Sequence, residues 1–163
     1  MKSIGRSQTK AVANNEINSN LHSVHQELSP SLNSISENEL NNLIQIDAGR
    51  KWESCMSMKD HFSKQAHPIR KTLKQVYYLL MLCPVNTLFD AGQMKQLDSI
   101  LNALGHWHDH EILYDRLRYF RKNMLVKELE EYEQAMKLEA LLKLERDGWL
   151  GKAEEGLKEI LLK

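Results

Sequence analysis

The sequence predicts an all-α protein: an antiparallel bundle of four to six helices over residues 36–163, preceded by a flexible N-terminal arm over 1–35. Three observations carry this. Three prolines and seven glycines punctuate 163 residues, which leaves long uninterrupted segments. Apolar residues recur at three- and four-residue spacing from Leu40 onward, and no stretch alternates with the two-residue period of a strand. The length suits one domain that buries a core without staples.

The arm is rich in Ser and Asn (NNEINSN, SPSLNSIS) and poor in aliphatics, so burial there cannot offset the entropy of ordering. Order begins at Ser36-Glu37-Asn38-Glu39, a capping box. Leu40, Leu43, Ile44, Ala48, Trp52, Cys55, Met56 and Phe62 then mark a first helix ending near Lys64. A second opens at His67-Pro68, where proline has no donor to lose, buries Ile69, Leu73, Val76 and Leu80, and ends at Cys83-Pro84. Asp90 caps a third, with Met94, Leu97, Ile100, Leu101 and Leu104 inward and Gly105 as its stop. A fourth starts at Asp109 with Ile112, Leu113, Leu117 and Phe120 inward. An acidic, leucine-rich helix follows over Lys127–Arg146, then a short one over Leu150–Lys163 after a break at Gly148.

Twenty-two basic and twenty-two acidic residues cancel, but they are not mixed evenly. Residues 50–75 carry Arg50, Lys51, Lys59, Lys64, Arg70, Lys71 and Lys74 against Glu53 and Asp60, and residues 113–127 carry Arg116, Arg118, Arg121, Lys122 and Lys127 against Asp115. Residues 128–163 are net acidic. Zero net charge therefore conceals a basic middle and an acidic tail, which keeps a polyanion partner open. Cys55 and Cys83 are too few for a disulfide framework and are expected as free thiols in a reducing compartment. No apolar run has the length of a signal peptide core or a membrane span, so a cytoplasmic protein that does not enter membranes is expected.

On the second helix, His67, Arg70, Lys71, Lys74 and Tyr78 fall within a polar stripe about 100° wide, opposite the apolar one. Donors near a helix start favour an anion, and Arg70 can grip two oxygens at once. Spacing alone leaves three readings open: a solvated face, an ion-pair face for the acidic helix, or a polyanion site. The segment from Gly105 to Glu111 concentrates His106, His108 and His110 with Asp109. Their two-residue spacing across an expected turn lacks the i, i+4 pattern of a zinc helix, so no metal is assigned and Asp109 is read as a cap. Arg116 shares a stripe with Ile112 and Phe120, so its guanidinium is expected to face inward and meet a carboxylate or a bound anion.

His67-Pro68-Ile69-Arg70-Lys71-Thr72-Leu73-Lys74-Gln75-Val76-Tyr77-Tyr78, followed by Leu104-Gly105-His106-Trp107-His108-Asp109 and Leu113, resembles the CHAD (conserved histidine α-helical domain) family. That family carries a His-x-x-Arg-x-x-x-Lys helix, then a Leu-Gly, then an Asp. His67, Arg70, Lys74, Tyr78, Gly105 and Asp109 match it position by position, and the resemblance covers roughly Trp52 to Phe120. It implies a helical bundle that binds inorganic polyphosphate through a basic surface without catalysis. It further implies localisation to the cytoplasm, including polyphosphate granules. The family domain usually holds two related halves; this chain shows one, closest to the C-terminal half, since His22 and His25 have no such pattern around them. Gln75 and Tyr77 stand where members often carry further bases, which implies a weaker phosphate surface.

The expected function is thus a non-catalytic module binding polyphosphate or a similar phosphorylated polyanion. Its expected binding residues are His67, Arg70, Lys71, Lys74, Tyr78, Lys64 and Arg116, with Gly105 and Asp109 structural, and no cofactor. A lone half exposes the face meant for its twin, so a homodimer or a separate helical half is an expected partner. Nucleic acid is disfavoured because aromatic residues do not interleave with the basic stripe. The competing reading is a structural or protein-interaction domain, a degenerate half without polyphosphate binding.

Overall fold

A computed structural model describes residues 35–83 and 85–161, with side chains to Ile160. The expectation of a flexible arm, and Pro84 as a helix end, lie outside the described residues. Among the described residues, four α-helices and one 3-10 turn follow in order: α1 (Glu37–Met56), the turn (Lys59–His61), α2 (Ala66–Met81), α3 (Ala91–Met124) and α4 (Glu130–Leu161). The protein is all-α, as the periodicity predicts. The chain divides into two compact units, Met1–Asn42 and Leu43–Lys163.

In the first unit the capping box forms as expected. Ser36 Oγ accepts from the Glu39 amide at 3.3 Å, and Glu39 Oε2 accepts from the Ser36 amide at 2.9 Å. The Ser36 amide and, after it, the Ser36 hydroxyl, which donates to Glu39 Oε2 at 2.8 Å, favour the ionised carboxylate and hold Glu39 below its usual range.

In the second unit, α1 stops at Met56, short of the expected Lys64. Ser57 Oγ bonds back to Ser54 O at 2.8 Å and the Met58 amide bonds to Cys55 O at 3.1 Å, which tightens the last turn. The 3-10 turn that follows brings Phe62 into the core. Gln45 ties α1 to the α2–α3 connection: its Nε2 donates to Val85 O at 2.8 Å and its Oε1 accepts from the Thr87 amide at 3.0 Å. Trp52 meets Phe89 edge to face beneath this tie.

Helix α2 buries Ile69, Leu73, Val76 and Leu80, the stripe expected of it. Asp90 caps α3 with a reciprocal box, Gln93 N to Asp90 Oδ1 at 2.7 Å and Asp90 N to Gln93 Oε1 at 3.0 Å. The expected stop at Gly105 does not occur, and α3 runs 34 residues to Met124. A glycine stop needs positive φ, and no described residue has it. Leu97, Ile100, Ala103, Leu104 and Trp107 form one buried stripe passing through this point. Burying Trp107 outweighs the roughly 1 kcal/mol that a helical glycine costs. Asp109 therefore lies in mid-helix and caps nothing.

The expected break at Gly148 is likewise absent: α4 continues to carry Ala153, Leu157 and Ile160 onto α3 and into the core. Gly156 permits that approach, since a Cβ there would stand 2.8 Å from Ile100 Cγ1. Ile112, Leu113 and Phe120, expected inward, are exposed, and Leu117 is half-buried. Both cysteines are free; burial pushes the Cys55 thiol up to about 12 and raises half-buried Cys83. No helix among the described residues is long and apolar enough to cross a membrane.

Candidate functional site

Helix α2 lies antiparallel along α3, with its start beside Glu111 and its later turns beside Asp98. Two polar stripes face each other there. Arg70, Lys74 and Tyr78 recur at four-residue spacing on α2. Asp98, Asn102, Gly105 and Asp109 recur at four, three and four on α3, so each set shares a helix face. Together with Tyr77, Leu101 and His106 they line a cleft of about 340 Å³.

The chemistry of the cleft is mixed. Arg70 is half-buried, and its Nε is buried without a hydrogen-bond partner among the described residues. Lys74 Nζ stands 5.8 Å from the centre of the Tyr78 ring, within reach of a cation–π attraction. Neither base is ion-paired within 4.0 Å among the described residues. Asp98 accepts from Asn102 Nδ2 at 3.2 Å. Burial, and then Asp98, raise the Tyr77 phenol above its usual value, so it stays protonated as a donor. Two carboxylates therefore face two bases across the cleft. A Cβ on Gly105 would meet nothing within 4 Å. The protein itself does not need glycine there, and the missing side chain leaves room in the cleft.

The expected binding residues are only partly gathered. Arg70, Lys74 and Tyr78 share the cleft with Gly105 and Asp109. His67 lies one turn earlier on α2, outside the lining; it packs on Trp107 with ring centroids 4.7 Å apart, and its Nε2 meets Glu111 Oε2 at 2.7 Å. Lys71 and Lys64 are exposed and do not line it. Arg116 is exposed rather than inward. The half-buried guanidinium of this stretch is instead Arg121, whose Nη2 donates to Glu139 Oε2 at 3.1 Å while Nε bonds the other oxygen and Nη1 bonds Tyr132 Oη. Side-chain exposures of 12% and 10% make this a nearly buried pair. Helix α4 presents Glu139 to Arg121, five residues beyond Arg116, and the periodicity of α3 alone does not reveal that choice.

Sequence reasoning missed Asp98 and Asn102. Their signal is the stripe 98, 102, 105 and 109, legible only if α3 runs through Gly105. The three histidines of the following segment fan out around the helix, as a two-residue step turns about 200°. His106 stacks on Trp149 with centroids 4.4 Å apart, His108 meets the His67 ring edge to face, and His110 bridges His106 O at 2.7 Å and Glu145 Oε2 at 2.9 Å. A second cleft of about 440 Å³ opens on the α3–α4 seam. Glu155 and Glu159 face Lys152 there, and Gln96 Nε2 already donates to Glu159 at 2.9 Å, which suits an anion poorly. Compared with known proteins, the chain matches no family model, no curated protein and no solved structure.

Proposed function

We propose that the chain is a non-catalytic, CHAD-like module that binds inorganic polyphosphate or a similar phosphorylated polyanion at the α2–α3 cleft. The observation that carries this reading is Arg70: a guanidinium with a buried Nε that has no partner among the described residues, beside Lys74, which no carboxylate among them pairs. A buried donor left unsatisfied costs about 1–3 kcal/mol, and a phosphate oxygen would remove that cost. Gly105 supports the reading because it leaves open the space that a phosphate would fill. Asp98 and Asp109 limit the affinity, so a chain of phosphates bridging the cleft and exposed Lys71 binds better than a single phosphate. Action in the cytoplasm, including at polyphosphate granules, belongs to the same proposal. Polyphosphate, DNA and RNA titrated at matched phosphate and two salt strengths test it. Polyphosphate binds most tightly and weakens as salt rises, and R70E/K74E abolishes binding; equal affinity for all three polymers overturns the specific claim.

A second reading, a protein-interaction domain, has its own observation. Leu113, Phe120, Met136, Leu138, Leu141 and Leu144 on the far part of α3 and α4 are about half exposed or more, and Leu141 and Leu144, three residues apart on one face of α4, suit a partner helix or a second copy. The oligomeric state in solution decides this: a concentration-dependent dimer abolished by L141E/L144E favours it, and a monomer at all concentrations removes the homodimer.

A further inference from the structure

His67, His108 and Glu111 are brought together on the α2–α3 seam by the continuity of α3. His108 and Glu111 stand three residues apart and so share a helix face, and His67 reaches them from the first turn of α2. One donor atom from each lies within 4.8 Å of the other two. His67 Nε2 is 2.7 Å from Glu111 Oε2, and the His67 and His108 rings meet edge to face with centroids 4.9 Å apart. His108 Nδ1 is buried and has no hydrogen-bond partner among the described residues, so these leave a nitrogen of this ring uncommitted. The other two histidines of the segment are engaged elsewhere, His106 on Trp149 and His110 on Glu145.

The geometry points to a divalent transition-metal site of the zinc class, with His67, His108 and Glu111 as its protein ligands. Two imidazoles and a carboxylate form a donor set that zinc-like cations take, whereas magnesium and calcium prefer oxygen alone. With metal–ligand bonds of roughly 2.0–2.2 Å, donors around a tetrahedral ion stand about 3.4 Å apart. The His67–Glu111 edge therefore has to open slightly and the longer edges have to close. The His67 side chain is 55% exposed and that of Glu111 30%, which gives both the freedom to do so. Trp107 lies against the His67 ring and limits its swing. Three protein ligands leave a fourth position open to water or to an oxygen of a bound molecule. The absence of a His-x-x-x-His pair on α3 is no obstacle, since the second imidazole comes from another helix.

The test uses the full chain stripped with a chelator and titrated with Zn²⁺ by calorimetry and with Co²⁺ by visible absorption. One equivalent binds, Co²⁺ shows the intense bands of a four- or five-coordinate site, and the melting temperature rises with free metal. H67A and E111Q each weaken Zn²⁺ binding roughly 100-fold or more, exceeding the effect of removing an outer-shell partner; H106A and H110A bind as the parent does. Because half-buried His108 also packs, exposed His67 carries the test, with the melting temperature of metal-free H67A confirming that it folds. Equal Zn²⁺ affinity in the parent and folded H67A overturns the assignment, as does loss of binding on H106A or H110A alone. Failure of the parent to saturate at micromolar metal overturns it too.

Discussion

The two ends of the α3–α4 pair both carry recurrent large apolar residues, and these meet opposite fates. Near the start of α3 and the end of α4, Leu97, Ile100, Leu104 and Trp107 join Ala153, Leu157 and Ile160 in a core that α2 closes with Ile69, Leu73 and Val76. Toward the connection between α3 and α4, Leu113, Phe120, Leu138, Leu141 and Leu144 stay largely in solvent, and the nearly buried features are Ala135 and the Arg121–Glu139 pair. The difference lies in the third helix. Helix α2 covers α3 from about Asp98 to Glu111; beyond that only α3 and α4 meet among the described residues. Two helices bury a narrow seam, while three enclose a core.

The comparison breaks most sharply at single leucines. L104A should cost about 2–5 kcal/mol because it leaves a cavity in an enclosed site, whereas L144A, at a residue 71% exposed, should stay within about 0.5 kcal/mol. Urea denaturation measures both, and similar losses would mean that the far end is covered. Next in size is Arg121. R121A strands Glu139 and should lower the urea midpoint, whereas R121M/E139L should lower it less because no charge is left unpaired. The glycines of α4 sharpen the contrast along one helix. G156A should cost about 1–2 kcal/mol by pressing on Ile100, while G148A, with open space at its Cβ, should stabilise by about 0.5–1 kcal/mol. As small in stability as G148A, and most telling for function, is G105A: thermal melts should show a gain of about 0.5–1 kcal/mol, and polyphosphate titration a loss of affinity as the methyl group enters the cleft.

Much of the candidate site was legible. Arg70, Lys74 and Tyr78 share a face by spacing alone, and that part of the cleft follows from the helical period. The opposing wall was not legible, because reading Gly105 as a stop divided Asp98 and Asn102 from Asp109. Glycine marks a helix end only where the backbone turns left-handed, and the burial of Trp107 decides otherwise here. The same break hid the meeting of His108 and Glu111 with His67, since histidines two apart look unrelated to a site until the helix carrying them is known to be continuous.

The sequence by itself determined the all-α class, the capping box at Ser36, the cap at Asp90, and the buried stripe of α2. Each depends on hydrogen bonds or spacings within a few residues. Only the tertiary structure decided that α3 and α4 run unbroken through Gly105 and Gly148, that Ile112, Leu113 and Phe120 lie outside, and that Arg121 rather than Arg116 takes the carboxylate. A local pattern states which face of a helix is apolar, but whether that face is covered, and whether a glycine ends the helix, depends on what packs across from it.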